Sequence, residues 1–160
     1  MAHIVIIGAG LGGMTMAYDM RHHARKEDKI TVVSNNPKFH FVPSNPWVAV
    51  NWRKREEIEL DAATYLNRRN IDFIGVGVKR VHPEQNQLEL DDGSTVDYDF
   101  LIISTGPKLA FDEIEGFGPH GGHTQSICHV DHAALSAQEW NNFVENPGPI
   151  VVGAVQSASC

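Results

Sequence analysis

His3-Ile4-Val5-Ile6-Ile7-Gly8-Ala9-Gly10-Leu11-Gly12-Gly13 is the stretch on which the fold turns. Its first five residues form an apolar, largely β-branched run, the composition of a strand buried on both faces of a parallel sheet. Glycines end that run, and Leu11 to Ala24 then sets Met14, Ala17 and Tyr18 at helical spacing. Lys29 to Val33 is strand-like again, so the first 33 residues read as a β-α-β unit. Gly8, Gly10 and Gly13 satisfy G-x-G-x-x-G directly after the strand and at the start of the helix. There the backbone can approach a pyrophosphate while the helix-end amides and dipole face the anion. A merely tight turn is the competing reading. The acidic residue that ordinarily holds the ribose about 20 residues further on is absent, and Ser34 and Asn35 stand in its place. A hydroxyl or an amide can hold a ribose too, so NAD is disfavoured and FAD or an unusual binding mode stays open.

Outward from this unit, Ser34 to Glu57 holds four aromatics and three prolines with little periodicity, a long apolar connector of the kind that lines a site. Asp61 to Arg69 reads as a short helix and Ile71 to Gly75 as a third parallel strand. Val76 to Val81, Gln87 to Leu90 and Thr95 to Tyr98 alternate and are split by turn residues, which predicts a three-stranded meander. Phe100 to Ser104 returns to the buried-strand pattern, Gly116 to Gly122 is a loop, Asp131 to Glu145 a helix, and Ile150 to Val152 a strand running into Gly153. The expected class is α/β, a Rossmann-like βαβ with a parallel sheet and an inserted meander, followed by the start of a second Rossmann-like domain. The expected division is 1–112 for the first domain and 113–160 for a connector and the second domain's beginning.

The 160 residues are 42% hydrophobic and 21% charged, with Lys+Arg 13 against Asp+Glu 20 and a net charge of −7. These values fit a globular domain and argue against disorder and against a surface built to neutralise phosphates, so nucleic acid is not the expected partner. No apolar run nears the roughly 18 residues of a spanning helix. With no cationic leader ahead of Ile4, the N-terminus is expected to be mature and cytosolic as written.

Two cysteines are too few for a disulfide scaffold, which turns attention to redox or metal chemistry. Cys128 sits in Ile127-Cys128-His129-Val130-Asp131-His132 beside a candidate helix start, where a dipole and an imidazolium favour a thiolate; a buried inert thiol is the alternative. Cys160 follows a strand and a run of small residues, at the carboxyl edge where sheets present groups to ligands. His120, His123, His129 and His132 crowd around Cys128, but their spacing fits no closed zinc pattern, so no metal is expected and most of these rings should be exposed. His132 is the best acid/base candidate, one helical turn from Cys128 if the helix already begins there. Arg53-Lys54-Arg55, answered by Glu56, Glu57 and Glu59, reads as a solvated face.

Phe41-Val42-Pro43-Ser44-Asn45-Pro46-Trp47, Ser104-Thr105-Gly106-Pro107-Lys108-Leu109-Ala110-Phe111, Gln125-Ser126-Ile127-Cys128 with Val130-Asp131-His132, and Gly148-Pro149-Ile150-Val151-Val152-Gly153 closing on Ser157-Ala158-Ser159-Cys160 together resemble the bacterial sulfide:quinone oxidoreductases. These belong to the flavoproteins with two dinucleotide-binding domains. The resemblance covers the whole chain. It implies that family members run well over twice this length, so that the rest of the second domain, a returning strand, a partner cysteine and membrane-facing C-terminal helices lie outside these residues.

The resemblance implies that Gly8, Ala9, Gly10, Leu11, Gly12 and Gly13 hold the pyrophosphate of FAD and that Ser34 and Asn35 take the ribose. It places Val42 and Pro43 near the cofactor, Val78 at the adenine, and Thr105 and Gly106 toward the flavin. Cys160 corresponds to one of two redox cysteines, Cys128 to a third cysteine engaged in sulfur release or flavin contact, and His132 to a histidine assisting proton handling. The implied activity is oxidation of sulfide to sulfane sulfur or polysulfide, with electrons passing through FAD to a quinone at the surface of the cell membrane. The 160 residues alone are expected to be inactive. Independently of the resemblance, Gly153-Ala154-Val155-Gln156-Ser157-Ala158 keeps only the first glycine of a second dinucleotide turn, which argues against a nicotinamide site and hence against NADH:quinone oxidoreductases. A cytochrome-coupled sulfide dehydrogenase subunit and a non-catalytic nucleotide-binding piece are the alternatives.

Overall fold

A computed structural model describes residues 1–153. Strand β1 (His3–Ile7) is followed by helix α1 (Leu11–His23), β2 (Lys29–Val33), β3 (Lys38–His40), α2 (Asn45–Ala49), β4 (Glu59–Asp61), α3 (Ala62–Asn67) and β5 (Asp72–Ile74). The chain continues through β6 (Val78–His82), β7 (Gln87–Leu90), β8 (Thr95–Asp97), β9 (Phe100–Ile103) and α4 (Val130–Glu145). Four strands form one parallel sheet in the order β5-β2-β1-β9, with Ile4 opposite both Ile30 and Phe100.

The two-residue period of a strand explains the layers. Ile4, Ile6, Ile30 and Val32 face one way and pack with Met14 and Ala17 of α1, Ala62 and Leu66 of α3, and Ile71. Val5, Ile7 and Val33 face the other way and meet Leu88 and Leu90 of the antiparallel β6-β7-β8 meander. The sheet is therefore covered on both faces, as its unbroken apolar strands require. A third cluster joins Val48 and Ala49 of α2 and Ile58 to Val130 and Ala133 of α4.

The Rossmann-like unit and the meander form as the pattern predicts, and α3 starts on an Asp61 cap that accepts the Thr64 N–H at 2.8 Å. Three local expectations change. Residues 34–57, expected as a long loop without periodicity, contain β3, two 3₁₀ turns and α2. The short elements escape periodicity because each is stabilised by a distant partner, β3 by β4 and α2 by α4. Ile150 to Val152 does not form a strand; these side chains are 61%, 94% and 88% exposed, and no described strand lies alongside to complete a ladder. Finally, the 53–55 cations are more than a solvated face. Arg53 stacks over Trp47, and Arg55 pairs with both Glu59 and Asp131, tying the segment to β4 and α4. No helix among the described residues is long and apolar enough to cross a membrane.

Candidate functional site

A cleft of about 1300 Å³ opens at the carboxyl ends of β1, β2 and β9. The chain leaves β1 for β2 on one side while β9 lies on the other, so this is a topological switch point, where open α/β sheets bind ligands. Sheet hydrogen bonding runs up to its rim: the Gly8 N–H donates to the Val33 carbonyl, Ser34 to Ile74, and Ser104 to Ile7, at 2.8–3.0 Å.

The glycine turn divides its labour. Gly8 has φ +104°, and a Cβ there would run into the Ser104 carbonyl. A Cβ on Gly13 would strike the Gly8 carbonyl, and one on Gly12 would sit 2.8 Å from Ser104 Oγ. Gly10, extended at φ −77° and ψ −171°, would meet no protein atom within 4 Å. The space beside Gly10 thus belongs to the cleft, a cradle that a side chain would fill. Gly8, Ala9, Gly10, Leu11 and Gly12 line the cleft, whereas Gly13 stands behind the turn and packs it.

The other predicted positions gather around the same space. Ser34 and Asn35 form its wall after β2, Val78 enters from the meander, Val42 and Pro43 close it from the 3₁₀ turn, and Thr105 and Gly106 follow β9. Cys128 and His129 complete the wall, and Cys128 is exposed. Cys160 lies outside the described residues, as does most of the second glycine turn.

His132 does not line the cleft. Helix α4 begins at Val130 with His129 as its cap, so Cys128 precedes the helix and the one-turn stacking of Cys128 on His132 does not arise. Instead His132 is 5% exposed beneath Phe111, with its Nε2 3.1 Å from Nε2 of His120 and its Nδ1 3.4 Å from Ser126 Oγ. Burial, followed by the neighbouring imidazoles of His129 and His120, holds its pKa below the ordinary range, while Asp131 opposes them. His120, His123 and His129 are exposed, and no group of three or more potential ligands among the described residues is placed to hold a metal.

Some lining residues were missed by sequence reasoning. Lys79, Arg80 and Asp91 reach the cleft from the meander, and Leu109 from the segment after β9. Alternation marked the meander as sheet but carried no sign of which strand end would fold over β2. Asn45 is likewise hidden in sequence: it is fully buried, donates from Nδ2 to the Ile127 carbonyl at 3.0 Å, and leaves Oδ1 without a partner.

The chain matches the pyridine nucleotide-disulphide oxidoreductase family over residues 2–155. It belongs to that family. Among curated relatives, the sulfide-quinone reductase of Aquifex aeolicus is 37% identical over 158 residues, covering 99% of this chain and 36% of the relative. The mitochondrial sulfide:quinone oxidoreductase of Dictyostelium discoideum is 29% identical, covering 95% of this chain and 33% of its own length. The chain thus spans about a third of the length of these relatives. The crystal structure of the Aquifex aeolicus sulfide:quinone oxidoreductase superposes with a TM-score of 0.84 at 36% identity, over 93% of this chain and 34% of that one. The NDH2 of Plasmodium falciparum solved with NADH gives 0.71 at 20% identity, over 90% and 30%, which speaks for the fold alone.

Proposed function

We propose that this chain supplies the FAD-binding part of a sulfide:quinone oxidoreductase. The observation that carries the reading is the 37% identity to a sulfide-quinone reductase across 99% of the chain. The cleft supports it, because the open space beside Gly10 suits a pyrophosphate and the amides at the start of α1 suit its charge. In this reading Gly8 to Gly12 hold the pyrophosphate with Gly13 buttressing the turn. Ser34 and Asn35 bind the ribose, Val42, Pro43 and Val78 flank the cofactor, and Thr105 and Gly106 approach the flavin.

When bound, FAD supplies a two-electron acceptor that quinone reoxidises. Hydrosulfide attacks one sulfur of a disulfide or sulfur-bridged pair that includes Cys160; the S–S bond breaks, one cysteine leaves as thiolate, and the incoming sulfur stays as a persulfide. In this reading Cys128 receives or passes on sulfane sulfur, which its exposure on the cleft wall supports. His132, set back from the wall, handles protons rather than sulfur. Residues 113–160 lead toward a second dinucleotide-type domain, and attachment to the membrane surface falls to segments beyond these residues.

Absorbance spectra of the purified full-length protein test the reading. A flavin spectrum that bleaches with sulfide and not with NADH is expected, whereas bleaching by NADH alone would overturn it.

A further inference from the structure

The strand-end acid that ordinarily holds a ribose is missing from β2, and the residues in its place offer few acceptors to a diol. Ser34 Oγ already accepts the Asn36 N–H at 3.2 Å, and Asn36 Oδ1 accepts the Lys38 N–H at 2.9 Å. A carboxylate nevertheless stands at the end of β2. Asp91, at the exit of β7, lines the cleft together with Ser34, Asn35 and Gly77. The meander brings it there: Leu90 lies opposite Val78, and the Asp91 N–H donates to the Gly77 carbonyl at 2.9 Å. Leu88 and Leu90 pack in one cluster with Val33, the last residue of β2, which fixes the hairpin over that strand's end.

Gly77 shows where the carboxylate lies. A Cβ on that glycine would fall on Asp91 Oδ2 and would sit 3.4 Å from the Asn35 Cβ. The missing methyl group therefore leaves room for the carboxylate beside Asn35. The cation and the hydroxyl nearest to it in the meander are committed elsewhere: Lys79 Nζ donates to Glu89 Oε1 at 2.6 Å, and the Ser94 hydroxyl donates to Asp92 at 2.6 Å.

We propose that Asp91 is the ribose-recognising acid of this cleft, supplied by the meander in place of the one β2 lacks, and that it selects an adenosine with a bare 2′-hydroxyl over one carrying a 2′-phosphate. That the adenosine belongs to FAD rests on the flavin reading above; the placement of the carboxylate rests on its own geometry. Adjacent ribose hydroxyls are two donors, and an ionised carboxylate, acceptor only, takes both in charge-assisted hydrogen bonds. A 2′-phosphate would set like charge against Asp91. Arg80 lines the same wall and is the residue type that receives such a phosphate, so it carries the opposite expectation.

Binding titrations on the flavin-free, full-length protein test this without any turnover. The unaltered protein should bind ADP about tenfold more tightly than 2′-deoxy-ADP, and ADP bearing a 2′-phosphate more weakly still. Asp91→Ala should bind FAD and ADP about tenfold more weakly, should no longer distinguish ADP from 2′-deoxy-ADP, and should keep its unfolding midpoint, since the side chain is exposed. Gly77→Ala supplies an independent arm: its Cβ would displace the carboxylate and should weaken ADP while leaving 2′-deoxy-ADP nearly unaffected. Undiminished discrimination in Asp91→Ala, equal binding of ADP and 2′-deoxy-ADP by the unaltered protein, or a preference for the 2′-phosphate overturns the proposal. If the unaltered protein binds ADP but not FAD, the flavin reading fails alone and the ADP comparison still decides Asp91; if it binds neither, both fall.

Discussion

The Gly8–Gly13 wall of the cleft is made of backbone: the atoms that forbid a side chain there are the carbonyls of Gly8 and Ser104. The Cys128–His129 wall is held, through the residues on either side of it, by side chains that arrive from far along the sequence. Asn45 reaches Ile127 across 82 positions, Arg55 reaches Asp131 across 76, and Asn51 Nδ2 donates to Asn141 Oδ1 across 90. Backbone packing tolerates no addition, so single changes on the first wall are severe and specific. The second wall depends on several modest tethers, so each loss should loosen it without collapsing the fold.

The sharpest break in that comparison comes from two glycines of one motif. Gly13→Ala should cost about 3 kcal/mol or more and lower flavin content with it, because a Cβ there collides with the Gly8 carbonyl. Gly10→Val should leave the unfolding midpoint of the cofactor-free protein nearly unchanged and abolish FAD binding, since its side chain would enter only the cleft. Thermal unfolding and flavin absorbance on both variants check this; equal destabilisation by the two would mean the turn has no division of labour.

On the opposite wall, Asn45→Asp should cost about 2 kcal/mol, because it removes the donor to Ile127 and sets a carboxylate in a fully buried position. Limited proteolysis should then cut between residues 106 and 129 sooner than elsewhere. An unchanged cleavage pattern would show that Asn45 does not hold that wall.

His132 adds an acid sensitivity to the helix behind that wall. Its folded pKa is depressed, so above about 6.5 both folded and unfolded states are neutral there and the group contributes nothing. As pH falls below that value the unfolded chain binds a proton the folded one resists, and stability declines by at most about 1.4 kcal/mol per pH unit until the folded value is passed. Chemical denaturation from pH 7.5 to 5 should show this slope and His132→Asn should lose it.

Arg55→Met is the smallest expected effect, about 0.5 kcal/mol, since the partly exposed pairs with Glu59 and Asp131 are screened by water. Its signature is a stability difference from the unaltered protein that shrinks with added salt.

How far the sequence could be read follows the same division. Unbroken apolar strands, a helical stretch and glycines between them announce β1, α1, β2 and their turn, because strand period and tight-turn backbone are local properties. Val42, Pro43, Val78, Thr105 and Gly106 were expected near a cofactor from a resemblance and Ser34 from its place after the second strand, and all of them line one cleft. Lys79, Arg80 and Asp91 were not legible, since nothing local to a meander tells which of its ends will lie over β2. The helix read over Asp131 to Glu145 already left Cys128 ahead of it, and the cap at His129 removes the earlier start on which a one-turn stacking of Cys128 on His132 depended.

Composition and pattern by themselves determined a doubly covered parallel sheet, a glycine turn suited to a pyrophosphate, and a meander inserted before the last parallel strand. Tertiary structure alone decided that Gly10 faces open space while Gly13 is packed, that Asn45 is buried under Ile127, and that His120 meets His132. The physical reason is range. Turn geometry and strand period are set by neighbours within a few residues, whereas the partner of a buried amide or imidazole is chosen by how distant segments pack, and neither spacing nor composition encodes that choice.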